Sequence, residues 1–456
     1  MRMQKRFLIV VVLVLGVVQL VFGTALDDYV AAPDASYKYS VEKIIEAAGY
    51  KAYVIDMTSQ TWRSKDEVDR PQWQHWLTVV KPDKATGDTA LLYINGGSNG
   101  KPAPTSADMM LGMIAMTTNT VVADLKMVPN EPLNFPDGGR PRSEDAIIAY
   151  TFDKYLATGD ATWPLLLPMV KSAVRAMDTM QGLMKGLDNG PVEIKKFVVA
   201  GGSKRGWTTW LTAAVDKRVI AICPAVIDVL NMGESMKHHY GAYGFWAPAI
   251  DDYEEMKVFD RLDTPRGREL QSFIDPYNYR ERYKMPKFLL NSSGDQFFVP
   301  DSAQFYFHDL PGEKYVRYFP NTGHGLDLSA FGAVTTFYKS ILAGAERPKF
   351  NWTVRKDGAI VVTAKTKPTE VRLWQATNPE KRDFRIDVLG PVWSCAGLDA
   401  GADGKYVGKA AEPEKGWTAY FVELAFDGGE IGEYKFTTEV RVLPDRLPFA
   451  SEQTKG

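Results

Sequence analysis

Short apolar runs alternate with longer amphipathic ones over the first two thirds of the chain. "TALLYINGG", "TNTVVADL", "IKKFVVAGG", "VIAICPAVID" and "PKFLLNSSGD" are strand-length and close on Gly, Asp or Pro. Between them, "ADMMLGMIAM", "SEDAIIAYTFDKYL", "WPLLLPMVKSAVRAMDTMQGLM" and "RGWTTWLTAAV" carry helical periodicity. Strands without alternation, separated by helices, predict a mainly parallel sheet covered on both faces, an α/β fold. Two strand-like pieces, "YKAYVIDMTSQTW" and "HWLTVVKP", precede this rhythm.

Residues 231–285 interrupt the alternation. They are rich in Tyr, His, Met and acidic side chains ("KHHYGAYGFW", "DDYEEM", "DPYNYRERY"). An insertion at this point lies over the C-terminal strand ends and predicts a cap. After Arg347-Pro348 the helices stop. "NWTVRKDGAIVVTAKT", "TEVRLWQAT", "GWTAYFVELAF" and "YKFTTEVRVLP" alternate, with Gly, Asp and Asn at the turns. Residues 348–456 are therefore expected to form a separate sandwich of immunoglobulin or fibronectin type. The expected organisation is a leader at 1–23, an α/β domain at 24–347 and the β domain after it.

The N-terminus changes the picture of where the chain works. "MRMQKR" is basic, residues 7–22 are apolar, and "VFGTA" supplies small residues for cleavage near Gly23. This pattern predicts export, to the periplasm or medium. The alternative is an uncleaved anchor, the one route to a membrane partner. The net charge of −2 suggests no nucleic-acid partner. At 456 residues and 45% hydrophobic, the chain can build a large core and more than one domain. Cys223 and Cys395 fall in different domains and are expected to stay unpaired.

The candidate chemistry sits in "VVAGGSKRGW". Gly201 and Gly202 precede Ser203, Lys204 and Arg205 follow, and Gly206 comes next. By itself the stretch admits an ordinary strand-to-helix turn, a phosphate-holding loop, or a nucleophile. It departs from G-x-S-x-G because Arg205 stands in place of the second Gly. Two later strand ends bear on the choice. "FLLNSSGDQFFVP" ends at Gly294-Asp295, and "VRYFPNTGHGLD" ends at Gly323-His324-Gly325. Of five histidines only His324 follows a strand in a Gly-flanked loop. Ser, acid, His at successive strand ends is the chain order of an α/β-hydrolase triad. Ser203 is then the nucleophile, His324 the base and Asp295 its partner.

Lys204 would lend its backbone N–H to an oxyanion, and Lys204 or Arg205 its cation to that oxygen or to an anionic substrate group; the alternative is that both side chains pair with carboxylates away from the site. Gly96 and Gly97 in "YINGGSNG" are candidates for a second donor, or a plain surface turn. Other candidates are weaker. His238-His239 are read as a solvent-facing pair or a substrate contact rather than metal ligands. Asp124 and Asp228 line the pocket or cap the segments after their strands. Glu254-Glu255 form a solvated acidic face or meet a substrate amine, and the cap aromatics stack on a substrate or form the cap's own core. No metal and no cofactor is expected.

The quoted stretches, with "DMTSQTWR" and "ATNPEKRDFR", resemble the PhoPQ-activated pathogenicity-related protein family, a family similar in turn to a secreted autocrine repressor of proliferation. The resemblance runs over nearly the whole chain. It implies a secreted α/β-hydrolase-like domain with a C-terminal β domain, and it names no substrate. "GGSKRG" also resembles the nucleophile turn of glucuronoyl esterases, over that short stretch only. Two functions remain in view. One is an exported serine hydrolase acting on a small-molecule, peptide or carbohydrate ester. The other is a secreted signalling or binding protein on the same fold.

Overall fold

The computed structural model describes residues 23–137 and 139–450. Apart from Gly23, the expected leader lies outside them. A short helix, α1 (Ala25–Ala31), starts at Thr24, whose hydroxyl accepts from the Asp27 N–H in a capping box. The sheet opens with three antiparallel strands, β1 (Lys38–Ala47), β2 (Tyr50–Thr61) and β3 (Gln72–Pro82). β1 is exposed along almost its whole length and carries Lys and Glu, which suits an edge strand.

Next come β4 (Thr89–Ile94), α2 (Met109–Thr118), β5 (Val122–Leu125), α3 (Asp145–Thr158), α4 (Leu166–Lys185), β6 (Lys196–Gly202), α5 (Lys204–Val215) and β7 (Val219–Ala225). Three helices, α6 (Met232–Tyr243), α7 (Asp251–Glu255) and α8 (Pro265–Ile274), are inserted before β8 (Lys287–Ser292) and form the cap. β9 (Lys314–Phe319) and α9 (Ser329–Leu342) finish the α/β unit. The strand order is β1-β2-β3-β5-β4-β6-β7-β8-β9, parallel from β5 to β9. β8 is buried at every position, the apolar Phe288, Leu289 and Leu290 and the polar Lys287, Asn291 and Ser292 alike, as a central parallel strand covered on both faces requires. Among the described residues no helix is long and apolar enough to cross a membrane.

The C-terminal strands are β10 (Phe350–Val354), β11 (Ile360–Ala364), β12 (Glu370–Asn378), β13 (Ser394–Gly397), β14 (Tyr406–Gly408), β15 (Trp417–Phe426), β16 (Tyr434–Thr437) and β17 (Arg441–Leu443). A one-turn helix, α10 (Ile386–Leu389), lies between β12 and β13. Two antiparallel sheets face each other, β10-β11-β14 against β16-β15-β12-β13. The change of pattern at Pro348 is not a break in packing. β16 joins β9 at Thr437 and Val316, so the sheet runs from one unit into the other. Tyr315 and Phe436 stack across the boundary at 4.1 Å. Cys223 is buried in β7, Cys395 is exposed in β13, and both are free thiols.

Candidate active site

Ser203 occupies a turn that few side chains tolerate. Its φ of 57° and ψ of −128° lie in a region nearly reserved for glycine, at a cost of about 1–3 kcal/mol. The buried run of β6 carries the chain to this point, and α5 begins at the next residue. Small neighbours make the reversal possible. A Cβ on Gly201 would lie 2.8 Å from Arg205 O, and one on Gly206 would lie 2.7 Å from Ala225 O. Gly206 thus does the packing that the motif normally assigns to the position of Arg205.

The loops after β8 and β9 bring the other two groups to Ser203. His324 Nε2 lies 2.8 Å from Ser203 Oγ. His324 Nδ1 lies 2.9 Å from Asp295 Oδ1 and 3.0 Å from Oδ2. Asp295 is 3% exposed, and it also accepts from the Phe297 N–H at 2.8 Å. The His324 backbone N–H donates to Gln296 Oε1 at 2.8 Å, and the Phe297 ring lies against the imidazole at 4.0 Å. Since a carboxylate only accepts, the Nδ1 proton points at Asp295 and Nε2 is left to accept from the serine. Ser59 and His75 also pair, at 2.9 Å, but both are fully buried and His75 Nδ1 meets the Lys126 carbonyl instead of an acid.

Both cations beside Ser203 pair with carboxylates, which corrects the reading of a free cation at Lys204 or Arg205 and agrees with the alternative. Lys204 Nζ lies 2.5 Å from Glu144 and 2.9 Å from Asp145. The Arg205 guanidinium holds Glu144 through two bonds of 2.8 Å and reaches the Val128 carbonyl at 2.5 Å. Two cations at a helix N-terminus oppose its dipole, and these carboxylates offset them. Glu144 has the same rare geometry as Ser203, φ 55° and ψ −128°, and like it stands just before a helix. The backbone N–H of Lys204 lies in the first turn of α5, where no intrahelical partner exists.

Gly96 is also corrected. Its N–H donates to Asn95 Oδ1 at 2.9 Å, so it is engaged within its own loop. It is glycine because Arg205 lies across it; a Cβ there would be 2.6 Å from the guanidinium. Gly97, at φ +130°, remains the donor candidate in this loop. Asp124 supports the loop, accepting from Asn95 Nδ2 at 3.1 Å, and burial pushes its carboxyl up to about 6. Asp228 is tied to the hydroxyls of Tyr306 and Tyr318 at 2.5 and 2.6 Å, and burial pushes it up to about 7. His238 and His239 are buried, contrary to the solvent-facing reading. His238 Nε2 donates to Asp301 at 2.9 Å, and His239 Nε2 accepts from the Ala247 N–H at 3.1 Å. Glu254 and Glu255 face solvent.

Glu144 belongs to a carboxylate pair that the sequence did not reveal. Its N–H donates to Glu131 Oε2 at 2.6 Å. Burial and the neighbouring Glu144 raise the Glu131 carboxyl to about 8. Burial pushes Glu144 up as well, but Arg205 and Lys204 overcome it and hold it well below its usual range. Glu131 therefore carries the proton. An acid raised in the folded state favours folding at low pH and loses that contribution as pH rises from about 4.3 through its folded value. Glu131→Gln mimics the protonated acid. Its urea midpoint should fall less than that of the wild type between pH 5 and pH 8. Equal slopes would mean that Glu131 does not titrate there.

The profile of the PhoPQ-activated pathogenicity-related protein family matches residues 26–385 of the chain that builds this site. Autocrine proliferation repressor protein A of Dictyostelium discoideum is 36% identical over 97% of this chain and 95% of its own length. Among solved structures, acetyl xylan esterase from Paenibacillus sp. R4 is similar at 15% identity and a TM-score of 0.49, over 70% of this chain and 91% of that one. Acetyl xylan esterase 1 from Thermoanaerobacterium sp. JW/SL YS485 follows at 16%, 0.47 and the same coverage. A glucuronoyl esterase from Solibacter usitatus gives 13%, 0.41, 69% and 91%.

Proposed function

The chain belongs to the PhoPQ-activated pathogenicity-related protein family, and we propose that this member is an exported serine hydrolase that cleaves an ester or peptide bond. The observation that carries the reading is the continuous hydrogen-bonded chain Ser203–His324–Asp295 at the ends of β6, β9 and β8.

Ser203 Oγ attacks the substrate carbonyl as its proton passes to His324 Nε2. Asp295 stabilises the imidazolium and fixes its tautomer. The negative oxygen of the tetrahedral intermediate is held by the backbone N–H of Lys204, and Gly97 is the proposed second donor. His324 then gives its proton to the leaving group as the acyl–leaving-group bond breaks. Water repeats the sequence, its oxygen bonding to the acyl carbon while the proton returns to Ser203. Export is proposed from the basic segment followed by the apolar run at residues 7–22.

The test is covalent labelling of the purified protein with a fluorophosphonate probe, followed by peptide mapping. Modification of Ser203 is the expected result; an unmodified Ser203 with wild-type fold overturns the reading. One observation favours a second reading, in which the fold serves signalling. The Dictyostelium relative is named as a repressor of proliferation. A Ser203→Ala protein that keeps full biological effect on target cells would favour it.

A further inference from the structure

Two cavities meet at Ser203. One lies under the cap and measures about 50 Å³. Its wall is apolar, with Trp207 from α5, Met232 and Met236 from α6, and Ile250, Phe259 and Phe298 around them. Among the described residues only two that line it carry charge, Lys204 and Asp145, and they pair with each other at 2.9 Å. Tyr253 closes that polar corner by donating to Asp145 at 2.9 Å. The wall is fixed in place, because Trp207 Nε1 donates to the Ile274 carbonyl of the cap at 2.6 Å. The second cavity, about 180 Å³, lies between the sheet and α9 and is lined by His324, Leu326 and Phe331.

The two cavities differ in one respect that bears on the reaction. His324 lines the second and not the first. A departing group must take its proton from His324, so it belongs on that side. The acyl group then occupies the cavity under the cap. Resting on the serine-hydrolase reading, we infer that the substrates are esters or amides of short, neutral, apolar acyl groups. At 50 Å³ the cavity is about a third of the roughly 150 Å³ that takes a benzene ring, which suits a short alkyl chain of a few carbons rather than a ring or a long chain. Neutrality follows from the wall, since an anionic acyl group would have to break the Lys204–Asp145 pair to gain a cation.

The test is a series of nitrophenyl esters from acetyl to octanoyl, with the hemisuccinate as an anionic counterpart, on the full-length protein. kcat/KM should rise about fourfold per methylene up to butyryl or pentanoyl, the value of a buried CH₂. It should then drop at least tenfold by octanoyl, and the hemisuccinate should be at least tenfold slower than the butyryl ester. Met236→Ala enlarges the cavity and should move the optimum to longer chains; the milder Ile250→Val should move it the same way. A flat series, an octanoyl optimum in the wild type, or a preferred hemisuccinate overturns the inference. Fluorophosphonate labelling of the same sample separates the causes. Labelled Ser203 with no turnover of any ester, or with the wrong chain-length profile, overturns the acyl assignment alone. No labelling and no turnover overturns the hydrolase reading, and the inference with it.

Discussion

Ser203→Ala should lose about six orders of magnitude in turnover, and Asp295→Asn about four, on any ester that the wild type hydrolyses. The difference comes from the roles of the two residues. Without Oγ there is no acyl-enzyme. In Asp295→Asn the reacting atoms remain, but the new amide can offer N–H to Nδ1. The ring proton then moves to Nε2, which lies 2.8 Å from Ser203 Oγ and can no longer accept from it. A further variant separates catalysis from stability. Ser203→Gly removes the same hydroxyl, yet glycine adopts φ +57° without strain, so this inactive protein should be about 1 kcal/mol more stable than the wild type. Steady-state kinetics and urea midpoints on the three variants check this. Turnover of Asp295→Asn within tenfold of the wild type would remove Asp295 from the reacting unit. A destabilised Ser203→Gly would mean that the turn stores no strain.

The strands that carry the site were readable because burial on both faces leaves a short unbroken apolar run, as in "FVVA" of β6. The site itself was readable where a rare residue met a rare context, His324 between two glycines after a strand. What could not be read is what depends on distant partners. Glu144 opens α3 and nothing near it in the chain points to Arg205, so the carboxylates that pair with the cations beside Ser203 could not be named. His238 and His239 looked solvent-facing because a polar pair is buried only when something satisfies it. Here Asp301 and the Ala247 N–H do so. β1 was not distinguished from its neighbours because an exposed edge strand has no apolar face to set a period. The pattern change at Pro348 was visible, but the join between β16 and β9 depends on a strand that arrives more than a hundred residues after its partner.

Arg382→Ala should cost about 3–5 kcal/mol, although Arg382 lies in the C-terminal unit and touches no triad residue. Its side chain is fully buried, and it bonds Asp301 at 2.6 Å. Asp301 ends the loop that Asp295 begins. The near end of that loop is held by α10, where the Ile386 N–H donates to the Gly294 carbonyl. Ile386 also fills the space beside Gly294 and Gly323, so one segment braces the loops of both the acid and the histidine. Removing the guanidinium leaves a carboxylate in the interior with His238 and the neutral Gln304 amide as its remaining side-chain partners. The pH dependence gives the sign. Burial pushes the Asp301 carboxyl up, but Arg382 and His238 overcome this and hold it well below the usual range. Such a group contributes stability above its unfolded value of about 3.9 and loses it as pH falls toward the folded value. Without the Arg382 cation, which lowers the group most, burial is expected to outweigh His238 and raise the group instead. The stability gap between wild type and variant should therefore be widest near pH 7 and should narrow toward pH 4. Arg382→Lys, which keeps the charge but not the two-pronged contact, should recover part of the loss. Turnover should fall with stability in the alanine variant, because the loop carrying Asp295 loses its far anchor. Urea midpoints at pH 4 and pH 7, with kcat measured under conditions where the variant stays folded, decide the matter. A gap that does not change with pH would show that Arg382 acts by packing rather than by its charge on Asp301.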